Sequence, residues 1–308
     1  MDKRVVVVGS VNLDRFLYVE VLPAPGETVL AHGRHTSVGG KGANQAVQAA
    51  ASGAPVVFVG AVGRDEAAQF ARDAFAEAGV LAVLEECDEP TGQAAVTVDD
   101  RGENCIVVDS GANAAVDVAS ALATLGKLAE PDSQPLILVC QGECPAPIVD
   151  AVARFSAEGG HRFVLNLAPV IDVSMATLRA SDPLIVNESE AQALLARFGE
   201  DAGAAGLAES LHSMLGVPIV VTLGAQGADV VDDEGVCRHV AALELTGRVV
   251  DSTGAGDALV GGTAAALSAG QSLVEAVRAG AGAAREVLSR RGAAGARPDD
   301  PAGQGDRT

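Results

Sequence analysis

The sequence predicts an α/β fold: a three-layer, doubly wound, mostly parallel sheet with a small β-sheet lid. Three observations carry this. Short continuous apolar runs of strand length recur along the 308 residues, as expected of strands covered on both faces. Ala-rich stretches of helical spacing separate them, giving the β-α alternation of a parallel sheet. Two other stretches, about 14–36 and 92–110, alternate apolar and polar side chains around turns such as Pro25-Gly26 and Asp100-Arg101-Gly102. That is the pattern of half-exposed antiparallel strands, and the two could pair into one projecting sheet.

Val5–Val8 reads as a first buried strand, with an apolar run too short for a signal-peptide core. Asn12 and Asp14 follow at its end, on one side by strand alternation. Further strands are expected at Val56–Val59, Leu136–Val139, Phe163–Leu167, Leu184–Val186 and Ile219–Thr222, and a hairpin at Gly227–Val231 and Val236–Val240. Helices are expected at Gly42–Ser52, Glu66–Glu77, Val116–Leu128, Ala146–Ala157, Ser189–Phe198 and Gly203–Leu215. Two long ones follow, about Gly256–Ala269 and Ser272–Arg290. Right-handed crossovers then set the strand carboxyl ends along one edge, where ligands bind. One domain over residues 1–298 is expected, with a tail at 299–308 that has nothing to bury.

Composition excludes several partners. The formal net charge is −20 with no basic arm or patch, which disfavours nucleic acid and anionic membrane surfaces. No stretch nears the roughly 20 apolar residues that span a bilayer. Cys87, Cys105, Cys140, Cys144 and Cys237 are odd in number and scattered, so a reducing cytoplasm is expected rather than a disulfide framework. Aromatics are only 3%, so Val, Leu, Ile and Ala must build the core.

The chemistry concentrates in Val249–Leu259, where an apolar strand end runs into Gly254-Ala255-Gly256-Asp257 at a helix start. Backbone N–H groups of Gly254, Ala255 and Gly256 can converge on an anion, helped by the helix dipole. That device needs no Lys or Arg, which suits an acidic chain. Asp257 beside it makes sense as a base that takes a proton from a hydroxyl attacking phosphorus. The competing reading makes it a mere helix cap. No Gly-x-x-x-x-Gly-Lys-Ser/Thr loop is present, and strand one lacks Gly-x-Gly-x-x-Gly, so neither a P-loop enzyme nor a simple dehydrogenase fits. In Gly39-Gly40-Lys41-Gly42-Ala43-Asn44 small residues admit a ligand, and Lys41 and Asn44 offer hydrogen bonds.

These segments together resemble the ribokinase (phosphofructokinase-B type) family of carbohydrate kinases. Gly39–Ala46 is similar to its N-terminal signature and Asp251–Asp257 to its C-terminal one. Asn187-Glu188-Ser189-Glu190 fits its Asn-x-x-Glu motif, and Thr222–Gly227 its nucleotide loop. Pro25–Thr28, Gly111–Ala115 and Gln141-Gly142-Glu143 look most like the members that phosphorylate ribose.

The resemblance implies an ATP-dependent sugar kinase, with Asp257 as base on a sugar hydroxyl (the 5-OH of D-ribose) and Gly254, Ala255 and Gly256 as anion hole. Asn12, Asp14, Gly40, Lys41, Asn44 and Glu143 would hold the other hydroxyls. Asn187 and Glu190 would organise Mg²⁺ through water, and Thr222, Gly224, Gln226, Gly227 and Gly256 the nucleotide. Asp251 and Thr253, with backbone from Val287, Arg290 and Gly292, would match the family's K⁺ loop. Homodimerisation through the lid is also expected. Three features depart from the family: Leu259 where an aromatic is common, Ala296 where a hydroxyl often supports the cation loop, and a chain ending soon after Pro298. The alternatives are a related kinase for a nucleoside, fructose or keto-deoxy sugar acid, or a silent sugar-binding protein on the same fold.

Overall fold

A computed structural model describes residues 3–129, 134–201, 206–244 and 254–288. In chain order its strands are β1 (Val5–Val8), β2 (Asn12–Val19), β3 (Gly33–Gly39), β4 (Val56–Val62), β5 (Leu81–Glu86), β6 (Gly92–Asp99) and β7 (Asn104–Asp109). There follow β8 (Ile137–Gln141), β9 (Arg162–Asn166), β10 (Leu184–Asn187), β11 (Ile219–Thr222), β12 (Gly227–Val231) and β13 (Cys237–Ala241). The helices are α1 (Lys41–Ala51), α2 (Glu66–Glu77), α3 (Val118–Leu128), α4 (Ala146–Gly159), α5 (Met175–Ala180), α6 (Glu188–Arg197), α7 (Leu207–Leu215), α8 (Ala255–Ser268) and α9 (Leu273–Leu288).

The large sheet runs β13-β12-β11-β10-β9-β8-β1-β4-β5, parallel from β11 to β5, with an antiparallel hairpin, β12–β13, on one edge. Its apolar runs are explained by cover on both faces. Val5 and Val7 enter one core with α1, α2, α8 and α9, while Val6 and Val8 enter the other with α3 to α7. Every residue of such a strand is therefore interior, and each fully buried Val contributes about 1.5–3 kcal/mol. Phe58 of β4 stacks on Phe75 of α2 at 4.5 Å, in a core otherwise made of Val, Ala, Leu and Ile. No helix among the described residues is long and apolar enough to cross a membrane.

The lid is a four-stranded sheet, β3-β2-β6-β7. Each arm is an antiparallel pair, as its alternation predicts. The arms join through β2 and β6, which run parallel with Asn12 opposite Gly92. Asn12 and Asp14 therefore stand on the lid's own first strand, not at the end of β1. Strand β5 and helix α5 were not expected from the sequence. β5 is an edge strand whose side chains are all at least partly exposed; its apolar run, Leu81–Leu84, follows the end of α2 by three residues and stops at Glu85-Glu86. The expected start of α7 overlaps residues 202–205, which lie outside those described, as does the expected tail.

Candidate active site

Two helix starts meet at the carboxyl edge of the sheet. Gly254 precedes α8 at φ 78°, a conformation that favours glycine, and among the described residues no side chain caps that helix. Its first-turn N–H groups and dipole thus remain for a ligand. Asp257 sits in that turn, buried at 6% exposure. Its carboxylate turns away from its own helix to accept from α1: Asn44 Nδ2 donates to Oδ2 at 3.1 Å and Gln45 Nε2 to Oδ1 at 3.0 Å. Lys41 Nζ stands 3.9 Å from Oδ1. Among the described residues the Asp257 carboxylate accepts from side chains of α1 and from no N–H of its own helix. Asp257 pushes the Lys41 ammonium's pKa up, against the opposing effect of burial, and Glu143 and Glu190 add to the rise.

The start of α1 is held from two sides. Glu143 Oε2 accepts from the Lys41 N–H at 2.9 Å and from the Ser10 hydroxyl at 2.5 Å. Ser10 O accepts from the Ala43 N–H at 2.9 Å. Gly39 leaves room for Asp14, since a Cβ there would lie 1.9 Å from Asp14 Oδ2. Burial first, then Glu143 and Asp257, push the Asp14 carboxyl up to about 7. Asp14 Oδ1, Asn44 Oδ1 and the Ser37 hydroxyl are buried without a hydrogen-bond partner, and Ser37 faces Asp14 across the lid sheet. Unpartnered buried acceptors and donors of this kind suit a ligand whose hydroxyls both give and accept hydrogen bonds.

Asn12 is buried and accepts from Asn113 Nδ2 at 2.7 Å. Asn113, in the 3₁₀ turn Gly111–Ala115, also accepts from the Val11 N–H and donates to the Val11 carbonyl. It fastens the lid's first strand where that strand leaves the core. Asn187 and Glu190 close a capping box on α6: Asn187 Oδ1 accepts from the Glu190 N–H and Glu190 Oε2 from the Asn187 N–H, both at 2.8 Å. Thr222 ends β11, and Gly224–Gln226 form an exposed 3₁₀ turn leading into Gly227. Val287 packs with Ala258 beneath the start of α8. Asp251, Thr253, Arg290, Gly292 and Ala296 lie outside the described residues.

Sequence reasoning gave no role to three amides that converge here: Gln45, Gln141 and Asn166. The signal was present for two of them. Gln141 and Asn166 are polar residues that end otherwise apolar strands at the ligand-binding edge.

Residues 2–300 match the family described as pfkB family carbohydrate kinase. This chain belongs to that family. The kinase is 33% identical over 296 residues to ribokinase of Haemophilus influenzae, covering 95% of this chain and 94% of that one. It is similar to the crystal structure of ribokinase from Thermotoga maritima, with TM-score 0.84 and 32% identity over 96% of this chain and 95% of that one. Arabidopsis thaliana ribokinase complexed with ribose and ATP gives TM-score 0.83 and 30% identity over 96% of this chain and 95% of that one.

Proposed function

We propose that this carbohydrate kinase transfers the γ-phosphoryl group of ATP to the 5-hydroxyl of D-ribose, with Asp257 as general base. The observation that carries the reading is Asp257 itself. It is a buried carboxylate in the first turn of a helix that no described side chain caps, turned toward α1 instead of its own backbone. The relatives named above, ribose kinases by name, support the choice of sugar.

In this reading the O–H bond of the hydroxyl breaks, its proton passes to Asp257, and its oxygen bonds to the γ-phosphorus. The bond from that phosphorus to the bridging oxygen breaks and ADP leaves. The first-turn N–H groups of Gly254, Ala255 and Gly256 carry the charge on the transferred group, and Lys41 adds a cation beside it. Asn12, Asp14, Gly40, Asn44 and Glu143 orient the sugar, and Thr222, Gly224, Gln226 and Gly227 the nucleotide. No group of three or more His, Cys, Asp or Glu side chains that could hold a metal ion occurs among the described residues. Glu190 and Asn187, at the start of α6, would hold Mg²⁺ through water, since Mg²⁺ keeps several waters. Mg²⁺ supplies charge neutralisation on the phosphates. The K⁺ loop through Asp251, Thr253, Val287, Arg290 and Gly292 belongs to the same proposal.

We read residues 1–298 as one catalytic unit, working in the cytoplasm. β7 exposes Ile106, Val107 and Val108 at 50%, 67% and 55% on the lid, an apolar strip that a second copy of the chain would cover. ADP production with a panel of pentoses, hexoses, nucleosides and sugar acids tests the activity. Ribose should give the highest kcat/KM. A nucleoside or another sugar in first place would reassign the substrate, and no turnover with any acceptor would remove the kinase reading.

A further inference from the structure

Behind Asp257 lies a chain of buried amides that the reaction scheme above does not use. Gln45 and Gln141 are wholly buried, and Asn166 is 7% exposed. Gln141 Nε2 donates to Gln45 Oε1 at 2.8 Å. Gln45 Nε2 spends its two hydrogens on Asp257 Oδ1 at 3.0 Å and Asn166 Oδ1 at 2.9 Å. Asn166 Nδ2 closes the chain on the Ile185 carbonyl at 3.1 Å. Four elements of the core, α1, β8, β9 and β10, thereby bear on one carboxylate of α8.

The direction of this chain is fixed. Turning the Gln45 amide over would set its oxygen against two acceptors, Asp257 Oδ1 and Asn166 Oδ1, and its NH₂ against the Gln141 NH₂. Asn166 cannot turn to suit, because its own NH₂ is held by the Ile185 carbonyl. We propose that Gln45 is a positioning residue for phosphoryl transfer: held by Gln141 and Asn166, it occupies Asp257 Oδ1 and presents Oδ2 to the reacting hydroxyl. Oδ1 faces both the Gln45 amide and the Lys41 ammonium, whereas Oδ2 accepts from the Asn44 amide alone and keeps a lone pair, so the proton is received at Oδ2. Gln45 acts on the rate through orientation of the base and makes no contact with sugar or nucleotide.

The inference rests on Asp257 as the base, so its test is a double-mutant cycle on purified full-length protein. Gln45→Met keeps the volume and removes the hydrogen bonds. It should lower kcat about tenfold to a hundredfold while both KM values stay within about twofold, because a misaligned base affects the chemical step and not ground-state binding. Added to Asp257→Asn, it should cost nothing further, since the group it positions is gone. If Gln45→Met does not fold, Gln141→Met carries the same cycle, with a smaller fall in kcat. A folded variant with unchanged kcat, or losses that multiply in the double variant, overturns the assignment. Near-normal kcat in Asp257→Asn alone overturns the reading of the base and the assignment with it. An inactive Asp257→Asn beside an unaffected Gln45→Met overturns the assignment only.

Discussion

Asn44 and Asp257, 213 positions apart in the chain, meet side chain to side chain at 3.1 Å. Each stands in the first turn of its helix, so the contact joins two helix starts at the sheet's carboxyl edge. An Asp that served as a cap would bond to its own helix's N–H groups. This one bonds to a neighbour's amides instead, and that difference is measurable.

Asp257→Asn keeps the size of the side chain but cannot take a proton. The variant should fold, bind ATP, and lose at least about 10²-fold in kcat, the usual loss when a general base is removed. Steady-state rates with the true sugar, beside ATP binding by calorimetry, check this. Near-normal kcat would return Asp257 to a structural role.

Asn44→Ala and Asp14→Ala should chiefly weaken sugar binding. Each removes one or two hydrogen bonds and strands the partner groups, costing about 1–3 kcal/mol. Sugar KM should rise in both variants. If it is unchanged in both, the sugar pocket lies elsewhere.

Asp14 also sets a pH dependence of stability. Its carboxyl stands at about 7 in the fold against 3.8 for an ordinary Asp, owing first to burial, then to Glu143 and Asp257. Between those values the folded protein holds a proton that the unfolded chain has released, so stability falls as pH rises through the window. Asp14→Asn is neutral throughout. It should raise Tm by about 3 °C or more near pH 8 and by little near pH 4, while weakening sugar binding. Thermal melts at the two pH values decide, and equal shifts would disprove the linkage.

Asp65 ties the second lid arm to the core. Its carboxylate accepts from the Ala68 N–H at the start of α2, and from the Thr91 N–H and hydroxyl just before β6. Burial would raise its pKa, but the hydrogen bonds from Thr91 and the helix start outweigh it and hold the group below the usual carboxylate value. Asp65→Ala should cost about 1–2 kcal/mol, the usual range for a lost cap. A lowered pKa stabilises the fold above the ordinary Asp value, and the benefit disappears as pH falls through the folded value. The Tm gap between wild type and variant should therefore close in acid.

Replacing K⁺ by a large organic cation at constant ionic strength should slow turnover, if the loop around Asp251 orders the anion hole. Equal rates in both salts would remove the cation from the account.

What the sequence revealed follows from what is local. The runs at Val5–Val8 and Ile219–Thr222 are legible because cover on both faces demands apolar residues at every position. The Gly254–Asp257 turn is legible because a helix start without a cap is written in four consecutive residues. The Asn187/Glu190 box is equally local, three positions apart. β5 escapes because its apolar run, Leu81–Leu84, follows α2 after only three residues and so reads as an extension of the helix. Gln45 escapes because its partners, 96, 121 and 212 positions away, leave no trace in any period. The side-by-side union of the two lid arms is likewise a matter of which strands meet, and residue pattern records faces, not neighbours.

Asp14 belongs to β2, a strand of the lid, whereas Asp257 belongs to a core helix. A sugar bonded to both is a bolt through the joint between the two sheets. Its affinity and the latching of the lid are then one free energy, since a ligand can bias a conformation only by its preference for it.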